Sequence, residues 1–270
     1  MVQWVDYKQN RQHTVVGNLL MTNGIWSPQL NNHRDLLVWL PYSYDGQRRY
    51  PVVYMQDGYN LFDAHTSFAG EWAVDETMTT LADEGLEAIV VGIPNTTQRM
   101  FEYSPYPDPR FRMSDSGGDR YVKFIMETIK PIIDADFMSH SYSWATGIAG
   151  SSMGGLISLY GYLAYPQVFG FAGVFSPSFW FGQGGIYNTL ANVSYPQGKL
   201  YLDIGAREGR FGKNYMRGVK NIAEALWQKG YNDSNLRYIE DKKGQHNEES
   251  WARRLPNALR FMLPRVRESV

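Results

Sequence analysis

Cysteine is absent from the 270 residues. Disulfides, thiolate catalysis and cysteine-ligated metals are therefore excluded. Neither sign of charge dominates: 26 Lys and Arg stand against 27 Asp and Glu, for a net charge of −1. With no basic stripe, neither nucleic acid nor an anionic membrane surface fits as the main partner. No apolar run approaches the roughly 20 residues that a membrane-spanning helix needs. The residues after Met1 lack the apolar centre of a secretory signal, which predicts a cytoplasmic location. No zinc or nucleotide motif, internal repeat or low-complexity segment is present, so neither metal nor cofactor is expected. Histidine is scarce at five, four of them at positions 13, 33, 65 and 140.

What is present is ordinary for a water-soluble globular protein. The apolar fraction is 43% and the charged fraction 20%. The length suits one domain over residues 1–270, long enough to bury a sizeable core. Aromatics are abundant at 15%, enough for a core and for lining a pocket. Strand-like runs cover residues 14–21, 35–40, 51–56, 87–93, 147–150, 171–175, 199–204 and 236–240. Helical patterns cover residues 72–82, 120–137, 219–229 and 248–263. Pro131 predicts a kink or a division in the second of these, and Pro256 a bend or two short helices in the last. Continuous apolar strands alternating with helices predict an α/β fold: an eight-stranded, mostly parallel sheet covered on both faces. The first two strands, with no helix between them, predict an antiparallel edge. Residues 95–118 are aperiodic and read as an active-site loop.

The sharpest chemical signal is Gly150-Ser151-Ser152-Met153-Gly154, which has the spacing Gly-x-Ser-x-Gly. It lies between a strand-like and a helix-like segment, the setting of the nucleophile elbow in α/β-hydrolases. A serine there takes up a strained backbone conformation that lifts its hydroxyl above the sheet, and the flanking glycines admit the close strand–helix approach. A hydroxyl becomes a useful nucleophile only when a base takes its proton. In this fold the chain order is serine, acid, histidine. His246 alone follows Ser152, in a loop after the last strand, where the base belongs.

The acid should follow the seventh strand. Glu208 lies a short turn beyond the strand end and is favoured over Asp203, which sits within the strand. Asp233, Glu240 and Asp241 come later and fit less well. An exposed loop charge partnered by Arg207 or Arg210 is the plainer reading of Glu208. An oxyanion needs two waiting N–H groups. Met153, after the nucleophile, supplies one, and Tyr59, after Asp57-Gly58 at the end of the third strand, supplies the other. A simple strand-ending turn would also explain Asp57-Gly58.

Several segments together resemble the esterase family of α/β-hydrolases that includes esterase D-like enzymes, enterochelin esterases, feruloyl and acetyl-xylan esterases and antigen 85 mycolyltransferases. They are residues 52–63, 92–105 with Arg99, Glu102 and Tyr103, 149–155, 175–180, Gly205-x-x-Glu208, and Gly244-x-His246-Asn247-Glu248-x-x-Trp251. The likeness spans residues 14–265. It implies a serine carboxylesterase with Ser152, His246 and Glu208 as triad and a small-molecule ester as substrate. Activity should fall as His246 becomes protonated in acid. Phe179, Trp180 and Phe181 either line an acyl or aryl pocket or pack the core. Arg99 and Glu102 are expected to pair with each other, and Trp251 to pack the last helix down. Acyl transfer to an alcohol or sugar, peptide hydrolysis and a non-catalytic binding role are the rival readings.

Overall fold

The computed structural model describes residues 2–7, 12–194, 198–208 and 212–265, with side chains omitted for 212–214. Among them nine strands form one sheet: β1 (Val5–Asp6), β2 (Asn18–Ser27), β3 (Asn32–Leu40), β4 (Val52–Gln56), β5 (Ile89–Ile93), β6 (Thr146–Ser151), β7 (Phe171–Phe175), β8 (Lys199–Gly205) and β9 (Leu236–Asp241). Their spatial order is β1-β2-β3-β5-β4-β6-β7-β8-β9. The pairs β1–β2, β2–β3 and β3–β5 are antiparallel, and every other pair is parallel. The mostly parallel sheet with an antiparallel edge is as expected. The count is nine rather than eight because the two-residue β1, exposed along its length and carrying no apolar pattern, adds to the edge.

The helices are α1 (Val74–Ala82), α2 (Arg99–Glu102), α3 (Gly118–Phe124), α4 (Lys130–Asp136), α5 (Met153–Ala164), α6 (Gly185–Asn192), α7 (Gly212–Gln228) and α8 (Glu248–Met262). Period-two alternation sorts the sheet's side chains between two cores. Val52, Tyr54 and Ile148 meet residues of α3 to α7, including Tyr121, Leu156, Ile157 and Ile222. Val53, Met55 and Ala149 meet α1 and α8 through Met78, Leu81, Trp251, Leu255 and Leu259. The central strands are buried on both faces, which is why they read as unbroken apolar runs.

Two local expectations change. The first long strand begins at Asn18, not residue 14, and runs on to Ser27 through a register shift between Thr22 and Ile25. That bulge let the strand continue past the point where its alternation fails. Helix α8 is not divided at Pro256, because the face carrying Trp251, Leu255, Ala258, Leu259 and Met262 is buried over its whole length. Before Pro131 the ladder widens instead, in a π segment over Ile125–Ile129 where the Lys130 N–H donates to the Ile125 carbonyl.

Strand β4 has β5 on one side and β6 on the other, so the connection direction reverses there. Ligands of open α/β sheets bind outside the carboxyl ends of the strands at such a point. The ends of β4 and β6 carry Asp57-Gly58-Tyr59 and Ser151-Ser152.

Candidate active site

Ser152 sits between β6 and α5 with φ 58° and ψ −119°, a left-handed backbone for a residue with a side chain. The turn is held at both ends. Its N–H donates to the Phe175 carbonyl at 3.0 Å, and its carbonyl accepts from the Ser178 N–H at 2.9 Å. Glycine is required at 150, where a Cβ would lie 2.6 Å from Gln56 Cγ and 2.8 Å from the Gly154 carbonyl carbon.

His246 precedes α8. The Asn247 side chain caps that helix by accepting from the Ser250 N–H at 3.1 Å, which fixes where the loop ends. His246 Nε2 lies 3.0 Å from Ser152 Oγ, and Nδ1 lies 2.9 Å from Glu208 Oε2. A carboxylate only accepts, so Nδ1 donates and the Nε2 lone pair faces the serine. The imidazole edge stands on Trp251, with ring centroids 5.2 Å apart at 83°.

Glu208 is buried, its side chain 0% exposed. Its Oε1 accepts from the Gly205 N–H at 2.7 Å and from Ser176 Oγ at 2.5 Å. Ser176 Oγ in turn accepts from Trp251 Nε1 and Arg254 Nη2, each at 2.9 Å. The acid loop and the histidine loop touch through backbone: a Cβ on Gly205 would lie 2.5 Å from the Gly244 oxygen. Asp203, the competing acid, faces elsewhere. It accepts from the Ser176 N–H at 3.0 Å and pairs with Arg254 Nε at 3.0 Å. Burial pushes its carboxyl up to about 7, against the pull of Arg254. Of the plainer partners considered for Glu208, Arg207 makes no ion pair with it among the described residues, and Arg210 lies outside them.

Tyr59 is the middle residue of a 3-10 turn over Gly58–Asn60, and Met153 is the first residue of α5. N–H groups at such positions have no acceptor within their own helix, which leaves them available to a ligand. The turn is pinned from several sides. Tyr59 Oη donates to Asp35 Oδ2 at 2.7 Å, and Asn60 Nδ2 donates to Glu248 Oε1 at 3.1 Å. Asp57, left-handed at φ 57°, receives both Arg99 Nε at 2.7 Å and Arg99 Nη2 at 2.8 Å.

That contact corrects the expected Arg99–Glu102 pair. Glu102 instead meets Arg34 at 2.7 Å, with both side chains 1% exposed. Arg99 and Glu102 leave α2 towards different partners because each finds a buried opposite charge from another strand end.

Phe179 and Phe181 are buried, whereas Trp180 is 46% exposed. Phe179 and Trp180 also line a cavity of about 650 Å³ with Arg110, Tyr187 and Tyr215. Phe181 packs into the core, Trp180 faces the cavity and Phe179 does both. A larger cavity of about 940 Å³ opens between β9 and α8; Ser152 and His246 line neither cavity, but Tyr215 of the smaller one bonds Ser178, whose Oγ lies 3.3 Å from Ser152 Oγ. Sequence reasoning did not single out Ser176, Ser178, Arg254 or Tyr215 as neighbours of the site. Ser176 and Ser178 lie in the 175–180 segment that carries the family resemblance, where neither was given a role, and the structure finds Ser176 left-handed at φ 42° without being glycine.

An α/β-hydrolase with a serine elbow is the class that this fold and site define. A family model described as Putative esterase matches residues 27–262, and the chain belongs to that family of carboxylic ester hydrolases. It is 25% identical over 256 residues to the uncharacterized protein YbbA of Bacillus subtilis (strain 168), covering 92% of this chain and 99% of that one. The BES protein of Bacillus cereus has a similar structure, with TM-score 0.74, 19% identity and coverage of 96% and 100% of the two chains. The enterobactin esterase FES of Shigella flexneri, solved in the presence of 2,3-dihydroxy-N-benzoyl-serine, superposes with TM-score 0.70 and 22% identity. That match covers 92% of this chain and 60% of the enterobactin esterase chain.

Proposed function

We propose that the protein is a serine carboxylesterase working through an acyl-enzyme on Ser152, with His246 as base and Glu208 as the acid that orients it. The observation that carries this reading is the continuous contact from Ser152 Oγ to His246 Nε2 at 3.0 Å and from Nδ1 to Glu208 Oε2 at 2.9 Å. His246 takes the Ser152 proton as Oγ attacks the ester carbonyl. The carbonyl oxygen becomes an oxyanion held by the Tyr59 and Met153 N–H groups. Collapse breaks the bond to the alcohol, which leaves with the proton from Nε2. Water then loses a proton to His246, attacks the acyl carbon, and releases the acid as Ser152 recovers its proton. Glu208 keeps Nδ1 protonated throughout and stabilises the imidazolium.

The aromatic wall of the 650 Å³ cavity supports a small ester with an apolar or aromatic substituent. The test is hydrolysis of p-nitrophenyl esters from acetyl to octanoyl by wild type and Ser152→Ala. The variant is expected to lose several orders of magnitude in kcat, and the chain-length optimum sizes the acyl site. Full activity in Ser152→Ala would overturn the reading.

A further inference from the structure

Ser152 Oγ has a second polar neighbour besides His246. Ser178 Oγ lies 3.3 Å from it and 3.1 Å from Tyr215 Oη, and Tyr215 Oη lies 3.0 Å from the Ser176 carbonyl. Ser178 is buried at 3% exposure. Its placement is fixed by its own N–H, which donates to the Ser152 carbonyl.

A carbonyl cannot donate, so the contact with Ser176 uses the one Tyr215 hydroxyl hydrogen. Burial pushes the Tyr215 hydroxyl up, so that hydrogen is retained at neutral pH. In the reactive arrangement the Ser152 hydrogen points at His246 Nε2. Only the Ser178 hydrogen is then uncommitted, with a choice of two acceptors, Tyr215 Oη and Ser152 Oγ.

We propose that Ser178 is a catalytic hydrogen-bond donor to Ser152 Oγ, and that Tyr215 is a positioning residue that accepts the same hydrogen when Oγ is neutral. This rests on the esterase reading above. At 3.3 Å the resting contact is longer than a good O–H···O bond, and such contacts tighten when charge appears. Negative charge develops on Oγ twice: as its proton passes to His246 during attack, and as the acyl-enzyme ester bond breaks during deacylation. At both moments Oγ becomes a better acceptor than the phenol oxygen, and the Ser178 hydrogen turns to it. Ser178 keeps its own proton throughout; the proton that moves is that of Ser152.

The experiment measures kcat, KM, thermal unfolding and the rate of fluorophosphonate inactivation for Ser178→Ala, Ser178→Thr, Tyr215→Phe and the Ser178→Ala/Tyr215→Phe double variant, beside Ser152→Ala. Loss of a hydrogen bond to a charged group predicts a fall in kcat of about 10- to 100-fold for Ser178→Ala. KM and Tm should hold, and inactivation should slow in parallel because the same Oγ attacks phosphorus. Ser178→Thr keeps the hydroxyl and should recover most of the rate. Tyr215→Phe should cost about 2- to 10-fold alone and nothing further on top of Ser178→Ala, because it acts through Ser178. A wild-type rate in Ser178→Ala, a loss confined to KM, a folded Ser178→Thr as slow as Ser178→Ala, or additive losses in the double variant would each overturn the proposal. Activity surviving in Ser152→Ala would instead overturn the esterase reading beneath it.

Discussion

Glu208 and Asp203 show how two carboxylates a few residues apart acquire different work. Glu208 turns Oε2 to the imidazole and steadies Oε1 with a backbone N–H and the Ser176 hydroxyl. Asp203 lies under the same loop and answers the buried Arg254. In the proposed mechanism Glu208→Gln removes the charge that holds the histidine tautomer. Such a change costs about 10⁴-fold in a serine-protease triad, and kcat here is expected to fall by on the order of 10³- to 10⁴-fold. Asp203→Asn should behave differently. It leaves the Glu208–His246 contact in place but takes from Arg254 its nearer carboxylate, leaving Asp241 Oδ2 at 3.9 Å, so unfolding moves down by at most about 3–5 kcal/mol while the folded enzyme keeps most of its kcat. Steady-state kinetics paired with thermal unfolding of the two variants checks this; the reverse pattern would make Asp203 the acid. The contact of Ser152, His246 and Glu208 could be anticipated from the sequence because spacing, uniqueness and position past a strand end are one-dimensional properties. The Arg99–Asp57 contact could not, because its partners are 42 positions apart and Glu102, three residues away, offered a local alternative. Ser178 lies in the 175–180 segment that carried the resemblance, but its contact with Tyr215, 37 positions away, left no mark in the sequence.

At the scale of elements, the buried strands announced themselves as apolar runs, while the short edge strand β1 had no pattern to read. Helix α1 starts at Val74 rather than residue 72 because Ala73 is left-handed at φ 51°. That geometry brings three carboxyl groups together on its first turn and just before it: oxygens of Glu71, Asp75 and Glu76 lie within 4.8 Å of one another. Asp75 Oδ2 accepts from the Val16 N–H at 2.6 Å, tying α1 to the chain entering β2. Burial, then the neighbouring Glu76 carboxyl, pushes Asp75 up to about 8, and burial pushes Glu71 up to about 7. A carboxyl raised on folding holds a proton that the unfolded chain has already released. Its contribution is complete below the unfolded value of 3.8 and is lost as pH climbs through about 8. The wild-type Tm should therefore decline across that window relative to Asp75→Asn, whose amide carbonyl can still accept from Val16 and has no proton to lose. Parallel Tm–pH curves for the two proteins would show that Asp75 does not carry the effect.

Across the whole molecule, the site depends on elements far apart in the chain arriving at one end of the sheet. Arg34 lies on β3 in the antiparallel edge, and Glu102 closes α2, whose Arg99 grips the Asp57 loop beyond β4. Arg34 also donates to the Pro94 carbonyl at 3.0 Å and lies over the rings of Tyr121 and Phe124, while Glu102 accepts from Asn32. One buried pair thus joins the antiparallel edge, the segment after β5 and the core beneath α3. Breaking such a pair on one side leaves a charge in the interior with no partner, which costs more than the pair itself contributes. Arg34→Met is expected to lower stability by about 3–5 kcal/mol, or roughly 10 °C in Tm for a chain of this size. Replacing both partners removes both charges, so Arg34→Met/Glu102→Met should recover a large part of that loss. Thermal unfolding of the two single variants and the double variant checks the argument. If the single losses simply add, the pair is not coupled, and the edge must be held to the site by apolar packing alone. If they cancel, the contact fixes which parts of the chain meet, a role that no local stretch of sequence records.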